Sequence, residues 1–262
     1  MHHWYCLYII VMVGFVTSQL VINVKNQGGD VLQETIQSNT TEETIILEFQ
    51  KPEGTFVTQF IDFKAEVQIF RVLVLGEEEM GQSQYQVMCF VTRFSKNEFI
   101  SADAMSKLRQ RNPGAVRQPE DDKGKEIFDM DLSIELDKSS VISIHLPLFC
   151  DEAVNATFAR EIDLRAWASP KALSRDIVSL TSSVKRFPPP KPVRCNSTSN
   201  LWQPCQCHLE ACVGWYPCGL KYCRGKDSSG KIMSYRCGIK TCRKCRAFNY
   251  HVQQKQLCLW DE

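Results

Sequence analysis

The chain has 262 residues, 44% of them hydrophobic, and a net charge of only +1 from 31 Lys and Arg against 30 Asp and Glu. That length allows two ordinary domains or one large one, and so balanced a charge offers nothing to nucleic acid. Of the 13 cysteines, all but Cys6 follow an apolar leader, an even set that reads as a disulfide framework and argues against an enzyme.

Residues 4 to 16 form the leader's apolar run, with the length of a signal-peptide core and too short to cross a bilayer. Val16 and Ser18 suit a cut before Gln19, so residues 1–18 are expected to be a signal peptide. No later segment could span a membrane, and the mature chain is expected to be secreted. Residues 20 to 75 then read as strands, with β-branched and aromatic runs at Val21–Val24, Thr44–Phe49, Phe56–Phe63 and Val67–Leu75. Tyr85 to Phe94, carrying Cys89, is the expected antiparallel partner of the last of these. Ser101 is a good helix N-cap before Ala104, Met105 and Leu108, and Asn112-Pro113-Gly114 marks the stop. Residues 117 to 126 are polar and expected to be mobile.

Ile127 to Asp137 alternates as a half-wet strand, and Val141 to Cys150 reads as a last apolar strand. Residues 152 to 185 look helical, with Phe158, Ile162, Leu164 and Trp167 grouped and a break at Ser169-Pro170. Phe187-Pro188-Pro189-Pro190-Lys191-Pro192 is a stiff linker and sets the expected boundary. The reading is an α+β domain over 19–150, a helical segment and Pro-rich linker over 151–194, and a basic cysteine-rich domain over 195–262. From Lys185 onward the net charge is +10, leaving −9 for the rest. The basic part could attract sulfated glycans or an acidic extracellular protein, or dock on the acidic part of its own chain; Arg243, Lys244 and Arg246 are the candidate contacts.

Cys89 and Cys150, the only mature cysteines outside the tail, are expected to bond. The tail holds Cys195, Cys205, Cys207, Cys212, Cys218, Cys223, Cys237, Cys242, Cys245 and Cys258. Some of these have zinc-like spacing, as in Cys242-x-x-Cys245, but behind a secretory leader disulfides are the expected state, with no metal and no cofactor. Ten cysteines allow roughly nine hundred pairings, so the connectivity is not readable. Asn39, Asn155 and Asn196 head N-x-[ST] sequons. Gly225 to Lys231 fits a P-loop spacing, but Ile232 stands where Ser or Thr must hold magnesium, so no nucleotide site is expected. Neither an H-E-x-x-H nor a G-x-S-x-G occurs.

Asp62, flanked by aromatics and expected to open a strand, with Cys89 and Cys150 on later strands, resembles the BRICHOS domain. That resemblance implies an α+β fold, a bond between the two cysteines and chaperone-like binding of β-prone segments. Val72-Leu73-Val74-Leu75-Gly76-Glu77, Gly81-Gln82-Ser83-Gln84, Lys107-Leu108-Arg109-Gln110, Trp215-Tyr216-Pro217-Cys218, Leu220-Lys221-Tyr222-Cys223 and the ending Gln256-Leu257-Cys258-Leu259-Trp260-Asp261-Glu262 resemble the out at first family over essentially the whole mature chain. This implies a secreted, developmentally associated protein. It also implies a separate Cys212–Cys245 bond, because some family members lack both positions.

Overall fold

A computed structural model of the chain describes residues 18–259 apart from 27, 78, 80, 170–174, 189–191, 227 and 229. The expected signal peptide lies outside the described residues except for Ser18, and so do Pro170 and the middle of the Pro-rich run. Strands β1 (Ser18–Lys25), β2 (Val31–Asn39), β3 (Thr44–Gln50), β4 (Phe56–Asp62), β5 (Val67–Leu75) and β6 (Tyr85–Arg93) form an antiparallel meander. Then follow α1 (Ala102–Ser106), β7 (Val116–Arg117), β8 (Asp121–Met130), β9 (Leu132–Ile134), α2 (Leu146–Phe149), β10 (Thr157–Ala159), α3 (Glu161–Ala168), α4 (Ile177–Ser182) and β11 (Val184–Arg186). Two long strands, β12 (Cys205–Lys226) and β13 (Ile232–Val252), close the described chain as one antiparallel ribbon. The ten-stranded sheet runs β11-β9-β10-β6-β5-β4-β3-β2-β1-β7, and the ribbon with β8 makes a second sheet, β12-β13-β8. The fold is sheet-rich with short helices, so α+β describes it only loosely.

Alternation along the strands explains the layers. Phe70, Val72 and Val74 of β5, with Met88 and Phe90 of β6, face the ribbon's Leu209, Val213, Phe248 and Tyr250. Val67, Ile69, Val87, Cys89 and Val91 face the opposite way, onto Ile142, Leu146, Leu164, Trp167 and Leu180. Covered on both faces, β5 and β6 read as near-continuous apolar runs. The ribbon therefore shares its core with the amino-terminal sheet, and the division placed at the Pro-rich run separates no second core. Phe248 stands at the centre of this layer, stacked on Phe90 at 4.4 Å and close to Phe70 and Phe128.

Three expectations are corrected. Val141 to Cys150 is no strand: a 3-10 turn (Leu136–Val141) leads into α2. Ile142, Leu146 and Cys150 are buried while Ile144 and Leu148 are exposed, a spacing of four that belongs to a helix. Residues 121–126 are not mobile but part of β8, which pairs in parallel with β13. Their charges face a basic strand, so the partner orders them. In the segment read as helical, Phe158 lies in β10, hydrogen-bonded to β6 and β9, and helix resumes only at α3 and α4.

The ribbon is latched to the sheet at Glu34 of β2. Its Oε1 accepts from the Gly214 N–H at 2.6 Å and its Oε2 from Trp215 N–H at 3.0 Å. Gly214 sits at a β-bulge where a Cβ would lie 2.8 Å from Val24 Cγ1, so glycine lets the backbones approach. Burial outweighs the pull of the Gly214 and Trp215 N–H groups and pushes the Glu34 carboxyl up to about 8. Its folded pKa thus lies above the ordinary 4.5, so the contribution to stability is full below that value and is lost as pH rises through about 8.

Two outcomes follow from the shared core and the latch. Urea unfolding of the oxidised protein should show one transition, coincident by fluorescence and circular dichroism, and Phe248→Ala should cost about 3–5 kcal/mol; separate transitions would contradict the shared core. Between about pH 5 and about pH 9 the wild type should lose stability that Glu34→Gln does not lose, whereas parallel urea midpoints would refute the assignment of Glu34.

Candidate functional site

The disulfides organise the ribbon. Cys212–Cys245, Cys218–Cys242 and Cys223–Cys237 cross from β12 to β13, while Cys195–Cys205 and Cys207–Cys258 tie flanking chain to the end of the ribbon away from its tip. Cys89–Cys150 joins β6 to the end of α2 on the far face of the large sheet. Every zinc-spaced cysteine of the tail is thus committed to a bond. Cross-links of this density compensate for a ribbon that is only two strands wide over much of its length.

The three candidate basic contacts do not form an outward face. Arg246 is 3% exposed, reaches Glu98 at 3.3 Å and lies over the Phe70 ring at 5.0 Å. Burial lowers its pKa, and Glu98 opposes that shift. Lys244 bridges Glu98 and Glu126, and Arg243 pairs with Asp122 at 2.9 Å. Lys221 pairs with Glu120 and Lys240 with Asp121, whose pKa is held down by Lys123 and Lys240. These five cations of the tail therefore dock on the chain's own segment 98–126, the option that sequence alone left open.

What remains exposed is the tip of the ribbon. β8 pairs with β13 only from Cys242 onward, so residues 222 to 238 project beyond it. Tyr222, Arg224 and Lys226 occupy alternate positions of β12 and share a face with Arg236, directly opposite Tyr222. Alternate residues on a strand lie about 7 Å apart. Arg224, Lys226 and Arg236 are exposed and, among the described residues, have no ion-pair partner. Tyr222 and Tyr235 are also exposed, whereas Trp215 and Tyr216 are buried where the ribbon meets the sheet. Burial pushes the Tyr216 hydroxyl up to about 12. The ribbon's aromatics thus divide between packing and surface. Composition could not separate them, because that depends on where β8 stops covering the ribbon. The P-loop-like spacing from Gly225 to Lys231 spans this hairpin tip and opens no helix.

Asp62 does not open a strand but ends β4, and it is 3% exposed. Its Oδ1 accepts from Ala65 N–H and its Oδ2 from the Ser143 hydroxyl, both at 2.8 Å. It fastens the β4–β5 turn to the segment before α2, at the wall of a 410 Å³ cavity that also holds Arg175 and His145. Asn39, Asn155 and Asn196 are all exposed. Asn39 accepts from the N–H groups of Thr41 and Glu42, and the Thr157 hydroxyl of the second sequon donates to Ala153 O. Among the described residues no helix is long and apolar enough to cross a membrane.

Comparison with known proteins covers both parts of this architecture. The family model described as "Out at first" matches residues 18–167, and "Out at first, C-terminal" matches residues 194–262. The chain is 56% identical over 271 aligned positions to the Out at first protein of Drosophila melanogaster, covering 99% of this chain and 55% of that protein. It is 57% identical over 254 positions to the Out at first protein of Drosophila virilis, covering 94% of this chain and 83% of that one. The chain thus spans little more than half the length of the first relative. No solved structure matches. With both family models matched in order and more than half of aligned positions identical, the chain belongs to the Out at first family.

Proposed function

We propose that this protein is a secreted, non-enzymatic glycoprotein that acts as an extracellular developmental factor and engages sulfated glycans through the tip of its ribbon. The observation that carries this reading is the basic and aromatic face formed by Tyr222, Arg224, Lys226 and Arg236 on a projecting, disulfide-braced hairpin. Alternate cations on a rigid strand present a row of positive charge to a linear polyanion. Export is supported by six disulfides and the apolar leader. Glycan attachment is supported by the exposure of Asn39, Asn155 and Asn196.

The alternative, chaperone-like capture of β-prone segments, rests on Asp62. Both of its carboxylate oxygens already hold the protein's own donors, so the ribbon tip has the stronger case.

Heparin chromatography of the whole protein tests the assignment. Salt-sensitive retention is expected, with the eluting salt lowered sharply by Arg224→Ser, Lys226→Ser and Arg236→Ser together. Passage of the wild type at low salt, or unchanged elution of the triple variant, would reject the tip as the glycan surface.

A further inference from the structure

The three bonds that cross the ribbon differ in their surroundings. Cys212 and Cys245 face each other directly in the β12–β13 ladder, whereas Cys223 stands opposite Tyr235 and Cys242 opposite Tyr216. Cys245 is buried and Cys212 is half-buried at the wall of a 230 Å³ cleft shared with Glu34, Gly214 and Arg243. The charged groups beside the two sulfurs are opposite in sign. Arg243 Nη2 lies 3.0 Å from Cys245 Sγ and 3.7 Å from Cys212 Sγ, and Glu210 Oε1 lies 3.1 Å from Cys212 Sγ. Lys125 pairs with that glutamate, and Asp122 with that arginine.

Thiol–disulfide exchange is governed by access to the attacked sulfur and by how well the departing sulfur carries negative charge. Here both conditions select the same direction. The sulfur open to the cleft is Cys212, and the sulfur beside the guanidinium is Cys245. A thiolate at Cys212 would instead form against the Glu210 carboxylate.

We infer that Cys212–Cys245 is a redox-labile bond, opened by an external dithiol that enters the cleft and attacks Cys212. The incoming thiolate forms a mixed disulfide with Cys212 Sγ, and the Cys212–Cys245 bond breaks with its electron pair on Cys245, held by Arg243. The dithiol's second thiolate then attacks its own sulfur in the mixed disulfide and releases Cys212. The dithiol ends oxidised to a disulfide, and its two protons convert Cys212 and Cys245 to thiols. Reduction removes a cross-link between the two ribbon strands, two residues before Gly214 and next to the Glu34 latch. This inference does not depend on the glycan reading.

The test treats the whole folded protein with limiting dithiothreitol, quenches it with an alkylating agent and maps the labelled cysteines by mass spectrometry. Cys212 and Cys245 should be labelled together, at least about tenfold sooner than Cys223 and Cys237. Accessibility alone predicts the reverse order, because Cys237 is exposed at the ribbon tip. With glutathione in place of the dithiol, the adduct should sit on Cys212 and not on Cys245. Arg243→Gln should slow the opening several-fold, and Arg243→Lys should largely restore it. Earlier labelling of Cys223 and Cys237, an adduct on Cys245, or an unchanged rate in Arg243→Gln would each overturn the inference.

Discussion

A guanidinium buried to 3% exposure cannot stand without a partner, and Arg246 therefore dictates where the ribbon lies. Its partner Glu98 sits between β6 and α1, and its apolar support is the Phe70 ring of β5. Satisfying both at once brings Phe248, two residues further along β13, onto Phe90. At the other end of the contact Glu34 receives the backbone of Gly214 and Trp215. An ion pair over an aromatic ring, an aromatic stack and the Glu34 carboxyl latch thus fix one docking, and the disulfides preserve the ribbon that makes it.

This docking changes what the charge asymmetry means. A tail of +10 behind a body of −9 suggests a free basic surface. Five of the tail's fourteen cations are instead used inside the molecule, where Glu98, Glu120, Asp121, Asp122 and Glu126 face Arg246, Lys221, Lys240, Arg243 and Lys244. Such pairs add little stability where exposed, but they help set register between β8 and β13 and leave a short basic face at the tip. Arg243 serves both sides of this division, as the counter-ion of Asp122 and as the cation beside the Cys212–Cys245 sulfurs.

The legible parts of the fold were those written in local pattern. β3 to β6 announce themselves through β-branched and aromatic residues, and α1 through Ser101, whose hydroxyl does accept from Ala104 N–H. The run before Cys150 misled because apolar content suggested a strand, while its burial repeats every four residues. β8 was unreadable for a different reason: Asp121 to Glu126 has no apolar face of its own and becomes a strand only beside β13, more than a hundred residues away. The candidate site was half visible. Cationic residues and cysteines could be counted, but which cations face inward depends on the same long-range pairing. The resemblance to the out at first family is borne out by both family models, and it says nothing of these contacts.

The central claim is that Arg246 and Glu98 bind the ribbon to the sheet as one body. A double-mutant cycle of Arg246→Met and Glu98→Gln, read by urea unfolding of the oxidised protein, tests it most directly. Removing Glu98 alone should be strongly destabilising, because the arginine is left buried and unpaired, and the two substitutions should couple by about 1–3 kcal/mol. Additive losses, with coupling below about 0.5 kcal/mol, would contradict the account.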